Sequence, residues 1–396
     1  MKQLKTSSLK SIRIESIDVY RGLVMFLMMA EVWHLERISN HLPNSAFWTF
    51  LGHHQSHVPW VGCSLHDLIQ PSFTFLVGVA LPYSILSRQN KGESKGKMWY
   101  HAIRRSIILI LLGVFLRSMY SETTNWTFED TLTQIGLGYP FLFYLGFKSK
   151  KWMWRTLGLT LFLYWFAFIL YPIDMNSFNY ASVGVSQNWE HLKIGLEAHW
   201  NKNSNLAWAF DTWFLNLFPR SSPFLFNGGG YATLSFIPTF GTMILGLLAG
   251  RMLKDNESLL SKKWGIIGLL LIATASLFHF AGINPIVKRI WTPSWVLLSG
   301  GFCFLFLASF HYIIDVKGIK KPFQWLRIIG LNSIAAYIIA HTLEGFVDNS
   351  IRIHINQNYA LIFGEAYETL ISGSVILLFY WLILRWLNKK KLFIKI

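Results

Sequence analysis

The stretch HHQSHVPWVGCSLHDLIQP, residues 53–71, sets His53, His54, His57 and His66 beside Asp67, directly before a long apolar run. An imidazole with a carboxylate to orient it provides the elements of general-base chemistry, and His57 with Asp67 is the expected pair. Metal ligation is not expected. The spacing follows no standard zinc pattern, although His53 and His57 at i, i+4 could share a helix face. Pro59 and Gly62 argue for a turn through the cluster instead of a continuous helix. Nearness in sequence is not contact, and on these residues alone ordinary loop polarity is the favoured reading, with catalysis the alternative.

Other polar residues fall inside apolar segments, where they are costly and are usually paired or functional. In IDVYRGLVMFLMMAEVWHL, Asp18 and Arg21 lie three apart and share a helix face. They form either a salt bridge at headgroup level or a contact from Arg21 to an anionic ligand. Glu31 lies thirteen residues beyond Asp18, roughly 20 Å along a helix, near the histidine-bearing loop. In LRIIGLNSIAAYIIAHTLEGF, the spacing of Ser333, Tyr337, His341 and Glu344 makes one polar stripe, which faces protein or water and not lipid. Asn332 sits in the inner half of that segment, placed to cap or bond a neighbouring helix.

The elements that must position these groups are membrane helices. The chain is 53% hydrophobic and 14% charged over 396 residues, with 18 Trp and 32 Phe, a balance foreign to a soluble protein of this size. Ten apolar segments of spanning length predict an all-α polytopic bundle of about ten transmembrane helices: 17–35, 69–87, 104–121, 131–147, 154–172, 232–250, 264–282, 291–314, 325–346 and 369–387. No linker divides the chain, so 1–396 reads as one domain with a long loop at 173–231. The basic N-terminus precedes an apolar run without a small-residue cleavage site, so that run is expected to stay as an anchor. Cys63 and Cys303 are too few for a disulfide scaffold and are not expected to pair.

The net charge of +16 suggests nucleic acid at first sight, but its distribution gives a better account. Lys and Arg alternate loop by loop, 27 of the 36 falling on one side of the predicted spans. By the positive-inside rule that side is cytoplasmic and holds both termini. The histidine stretch and the 173–231 loop then lie outside. Trp189, Trp200, Trp208 and Trp213, with Asp174 and Asp211, would either meet sugar faces and hydroxyls or anchor the membrane interface.

Seven motifs in sequence order carry a resemblance: RIESIDVYRGL, HVPWVGCSLHDLIQPSFTFLVGV, HAIRRSIILILLGVFLRS, TLTQIGLGYPF, GGGYATLSFIPTFGTMILGLLAGRML, IVKRIWTPSWVLLSGG and GLNSIAAYI. From about residue 13 to 346 the chain resembles the heparan-alpha-glucosaminide N-acetyltransferase family, and within it the bacterial branch associated with amino-sugar metabolism. The resemblance implies a multi-pass protein of the bacterial inner membrane. It would take acetyl-CoA from the cytoplasm and acetylate an amino sugar on the far side, without metal or nucleic acid, in contact with lipid and with a homodimer left open. It puts the family's catalytic histidine at His57 in its His-x-x-Trp-x-Gly motif, completed by Trp60 and Gly62. Asp67 matches the motif's aspartate, and Pro71 and Phe73 its Pro-x-Phe. Lys288 and Trp291 match an outer Lys-x-x-Trp, and Asn332 and Ser333 an Asn-Ser pair. Two places depart from the pattern. Glu31 or Val32 stands where lysosomal members have asparagine, and Gly228–Tyr231 replaces Asp-Pro-Glu-Gly.

The expected roles follow. His57, Asp67 and Glu31 are catalytic; Trp60, Lys288, Trp291, Asn332 and His341 meet the acceptor. Arg21, Arg88, Arg104 and Arg105 bind the phosphates of acetyl-CoA, because guanidinium groups match phosphate oxygens. His57 either deprotonates the acceptor for direct transfer or attacks the thioester itself. A permease for amino sugars is the rival reading, although no internal symmetry of the transporter kind is evident.

Overall fold

The structure is a computed structural model that describes residues 14–173 and 178–394. The terminal cations Lys2, Lys5, Lys10, Arg13 and Lys395, and Asp174 of the long loop, lie outside the described residues. Among the described residues the α-helices are α1 Glu15–Met29, α2 Leu35–His41, α3 Ala46–Gln55, α4 Ile69–Asn90, α5 Lys95–Ser118, α6 Thr131–Leu145, α7 Lys150–Leu170 and α8 Leu206–Phe214, then α9 Phe236–Lys254, α10 Leu260–Phe280, α11 Pro293–Phe310, α12 Gln324–Leu331, α13 Ser333–Thr342, α14 Glu344–His354 and α15 Glu368–Lys389. Polar side chains start several of them. Ser45, Ser94, Asp130, Asn205 and Thr292 each accept a backbone N–H of the following first turn. The fold is all-α as expected, and extended pairing among the described residues is limited to a bridge between Val61 and Val287.

Each of the ten expected spans coincides with helix, but among the described residues seven helices are long and apolar enough to cross a membrane: α4, α5, α7, α9, α10, α11 and α15. The pair α12–α13, bent by 72° at Asn332, makes an eighth if counted as one span. The first and fourth expected spans, α1 and α6, have 15 residues each. Such a helix rises about 22 Å, short of a bilayer core of about 30 Å. α1 also carries Glu15, Asp18 and Arg21, and continues as a 3-10 turn, Ala30–Trp33.

α9 is the hub, with 78% of its apolar window buried against 17% for the peripheral α10. It packs on α4, α6, α7 and α11. Gly246 and Gly250 let α4 come within backbone contact, since a Cβ at Gly246 would stand 1.9 Å from the Phe75 carbonyl oxygen. Gly22 serves the α1–α12 crossing in the same way, facing the Leu326 carbonyl. These crossings fix α1, α4 and the broken helix, the three elements that carry the site. A second cluster of buried apolar residues, including Trp60, Phe168, Trp200, Val287 and Ile290, seats the 178–231 loop over one end of the bundle.

Candidate active site

α3 ends at Gln55, so His53 and His57 do not share a helix. Beyond it the chain turns through Gly62, whose φ of 126° suits glycine. A reciprocal lock then fixes the next turn: Ser64 Oγ accepts from the Asp67 N–H (3.3 Å), and Asp67 Oδ2 accepts from the Ser64 N–H (3.0 Å). Asp67 Oδ2 also accepts from Ser64 Oγ (3.0 Å) and the Val58 N–H (3.3 Å). One carboxylate oxygen is thereby committed to the backbone, and the other, Oδ1, is aimed at His57.

His57 Nδ1 lies 2.8 Å from Asp67 Oδ1. Lys288 Nζ donates to the same oxygen at 3.1 Å and lies 3.0 Å from His57 Nδ1. The side chains of Asp67 and Lys288 are 1% and 4% exposed, while that of His57 is 37% exposed. The cluster therefore opens outward only through its imidazole. With Nδ1–H donated to Asp67, Nε2 is left as the exposed unprotonated nitrogen, which is what a general base or a nucleophile requires. Cys63, in the same loop, is no rival nucleophile: burial first, then the charge of Asp67, pushes its thiol up to about 12.

Lys288 is delivered by a second loop. The Gly62 N–H donates to the Ile286 carbonyl (3.0 Å), and Arg289 donates to the carbonyls of Gly229 (2.7 Å) and Val58 (3.2 Å). Thr292 Oγ1 accepts from the Val287 and Trp295 N–H groups, tying the loop to the start of α11. Gly228–Tyr231, where the family pattern departs, helps build this wall: Gly230 lies against Trp60 and Lys202.

The remaining expected residues separate by location. Glu31 does not reach His57; its Oε2 is 3.7 Å from His66 Nε2, and the His66 ring lies 4.7 Å from that of His57. Trp60 is buried and donates to the Trp200 carbonyl at 3.0 Å. Trp291 is also buried, with φ 51°, and donates to Thr242. Both tryptophans therefore support the loops instead of facing an open space. Asn332, fully buried, bonds the Leu392 carbonyl and the Ile394 N–H, each at 3.1 Å, and so holds the segment after α15 against the helix break.

Two cavities complete the picture. One, of about 570 Å³, is lined by Glu31, His34, Arg37, His341, Glu344 and Asp348 among others, on the same side as His57. The other, of about 560 Å³, gathers all four expected phosphate-binding residues, Arg21, Arg88, Arg104 and Arg105, together with His101. Arg88 is paired with Glu93 at 3.0 Å and Arg21 with Asp18 at 3.5 Å. Arg105 lies over the Tyr139 ring, and its buried Nε has no partner. On α4 this cavity runs from Arg88 to Phe73, about 22 Å of helix, and Phe73 is six residues from Asp67. The expected polar stripe divides between the two: Ser333 lines the arginine cavity and His341 and Glu344 the other. In the long loop, Trp200 is buried, Trp208 donates to the Leu225 carbonyl and Asp211 accepts from the Thr233 N–H, leaving Trp213 exposed.

Sequence reasoning did not identify Ser64 or the direct contact of Lys288 with the pair. The spacing Ser64-x-x-Asp67 is a capping-box signature and could have revealed the first. Nothing local signals the second, because Lys288 and Asp67 are 221 residues apart.

No family model matches the chain. Among curated proteins it is 24% identical over 438 residues to the mouse (Mus musculus) heparan-alpha-glucosaminide N-acetyltransferase and 22% identical over 426 residues to the human (Homo sapiens) one. Each alignment covers 97% of this chain and 60% of the relative, so the chain spans about 60% of the length of the curated relatives it matches. Over nearly its whole length, then, this chain, with several helices long and apolar enough to cross a membrane, is similar to heparan-alpha-glucosaminide N-acetyltransferases.

Proposed function

We propose that this protein is a membrane-embedded acyltransferase, moving an acetyl group from acetyl-CoA on the cytoplasmic side to an amino sugar or sugar on the outer side. The observation that carries the proposal is the His57–Asp67–Lys288 cluster, open to the outside only at His57. The four-arginine cavity reaches Arg88 near the far end of α4, about 22 Å of helix beyond Phe73. Arg21, Arg88, Arg104 and Arg105 suit the phosphates of CoA, and the unpartnered Arg105 Nε gives one buried donor to meet them. When bound, acetyl-CoA supplies an activated acetyl thioester. Asp67 holds the His57 tautomer in which Nε2 is free, and Nε2 takes the proton of the acceptor amine or hydroxyl. Against its burial, the hydrogen bond from His57 and then the charge of Lys288 hold Asp67 in its charged form. The Glu31–His66 contact joins the outer cavity to His57, and that cavity, polar and carboxylate-rich, suits a hydroxylated acceptor bearing an ammonium group.

The names of the relatives support the reaction class and an acetyl donor. The charge distribution supports both termini on the cytoplasmic side, and the sequence resemblance is what suggests the bacterial inner membrane. The test is purified protein with radiolabelled acetyl-CoA and glucosamine, beside His57→Ala. Transfer that disappears in the variant, with acetyl-CoA still bound, supports the reading. No transfer to any of a panel of sugars, with no acetyl-CoA bound by the wild type, overturns it. A transport reading draws support from the α12–α13 break beside two cavities and expects sugar uptake without acetyl-CoA.

A further inference from the structure

We propose that the cleft between α6 and α7 is a binding site for one anionic phospholipid. The two helices are consecutive in the chain but splay apart: α6 packs on α5 and α9, and α7 on α9 and α11. The gap is a cleft of about 520 Å³, lined by Trp99, Pro140, Tyr144, Lys148, Trp152 and Phe240 among others. It opens on a face where Phe141, Trp152, Leu159 and Phe162 are all more than half exposed, a surface that only hydrocarbon covers favourably.

The charge at one rim selects the occupant. The segment KSKKWMWR places Lys148, Lys150, Lys151 and Arg155 around the first turn of α7. Cations there oppose the helix dipole, which favours an anion at its N-terminus. The first turn contains no acidic residue, and Ser149 at the N-cap position makes no side-chain capping bond. Lys150 is compensated from outside by Asp255 (3.2 Å) and Glu257 (2.6 Å). Among the described residues Lys148, Lys151 and Arg155 make no ion pair. Lys148 instead lies over the Tyr144 ring (4.6 Å) and Arg155 over Trp152 (5.8 Å), flanking the mouth of the cleft. A phosphodiester headgroup at Lys148, with an acyl chain laid toward Phe240, satisfies both the uncompensated positive rim and the apolar groove. A soluble anion would satisfy the rim alone. Trp99, Tyr144 and Trp152 are the residue types that sit at headgroup depth.

The experiment is native mass spectrometry of the detergent-purified chain titrated with phosphatidylglycerol or with phosphatidylcholine of the same acyl chains. Thermal midpoints are recorded in parallel, and inorganic phosphate is a third ligand. The expected result is one phosphatidylglycerol bound in preference to phosphatidylcholine, with a raised midpoint. Lys148→Gln with Arg155→Gln should weaken that preference by roughly twenty- to thirtyfold, about fivefold for each cation. Thr156→Trp, which fills the cleft and leaves the rim charges intact, should also lose the bound lipid. Lipid-free midpoints of the variants within a few degrees of wild type show that they fold. Equal binding of the two lipids overturns the proposal, as does retained preference in the double variant. Inorganic phosphate that raises the midpoint as much as phosphatidylglycerol, or a dimer that Thr156→Trp dissociates without any change in lipid binding, also overturns it.

Discussion

Asp67→Asn separates the roles of this carboxylate. Oδ2 meets three donors, two of them backbone N–H groups that cannot turn away, whereas Oδ1 meets His57 and Lys288. The asparagine oxygen must therefore take the Oδ2 place and its NH₂ group the Oδ1 place. That NH₂ donates to His57 Nδ1, forces the proton onto Nε2 and removes the base. Loss of a histidine orienter by the same isosteric change is worth roughly 10⁴ in rate, about 5.5 kcal/mol. The NH₂ also faces the Lys288 ammonium, which is 4% exposed and loses its counter-charge. Stranding one partner of a buried pair costs about 3–5 kcal/mol, so the melting point should fall too. Adding Lys288→Met removes the stranded charge and should restore most of the stability, because deleting both partners is nearly neutral. It should restore none of the activity. The assay is acetyl transfer and thermal unfolding on the two single variants and the double. A folded Asp67→Asn with transfer within tenfold of wild type would refute the argument, and so would a double variant that regains activity along with stability.

Arg105→Ala should raise KM for acetyl-CoA about ten- to a hundredfold with little change in kcat, since a charged hydrogen bond is worth about 1.5–3 kcal/mol; an unchanged KM removes the phosphate assignment. Asn332→Ala frees the Leu392 carbonyl and the Ile394 N–H, so limited proteolysis should cut the tail after α15 faster than in wild type, while His57-dependent transfer persists. Asp211 lies in α8, and burial, helped by Glu129, pushes its carboxyl up from 3.8 to about 7. The folded state then holds a proton that the unfolded state releases near pH 4. Stability is accordingly highest below about pH 4 as far as this group is concerned, and it falls as pH rises to 7, at about 1.4 kcal/mol per unit at most. Asp211→Asn keeps an acceptor for the Thr233 N–H and should flatten that decline, read from melting temperatures between pH 5 and 8.

Much of the site was legible because its signals are local or compositional. His57 and Asp67 are ten residues apart with a turn between them, and the geometry joins them. Arg88, Arg104 and Arg105 belong to the basic loop expected after the second span, and Arg21, inside the first span, joins them in one cavity. The number of spans was less legible, because apolar content does not reveal where a helix stops. α6 ends at Leu145, and α1 gives way to a 3-10 turn at Ala30. Trp60 and Trp291 match the family motif, yet Trp60 spends its N–H on the long loop at Trp200 and Trp291 on Thr242 of α9, which only tertiary structure discloses. Lys288 reached the right motif with a different neighbourhood, since its partners come from the other end of the chain. The break at Asn332 was hidden for the same reason: the carbonyl and N–H that satisfy its side chain are some 60 residues downstream.

The two cavities also bear on the choice between transfer and transport. Along α1, Arg21 lines one and Met28 the other, seven residues or about 10 Å apart. Along α13, Ile334 lines the first and Ala340 the second, about 9 Å apart. The wall between them is thus about a third of a bilayer core thick, thinned by the bend that turns α13 away from α12. It is made of packed side chains: Met25 of α1 and Ala335, Ala336 and Tyr337 of α13 are all buried. Passing a whole sugar would mean opening that packing to the width of a polar, hydrated molecule and desolvating its hydroxyls. Passing a two-carbon acyl group needs only a slender apolar path, with the phosphates left among the arginines and the acceptor left among the carboxylates. A cavity carrying four arginines and one carrying carboxylates, with a thin packed partition between them, suit the proposed group transfer better than passage of a whole sugar.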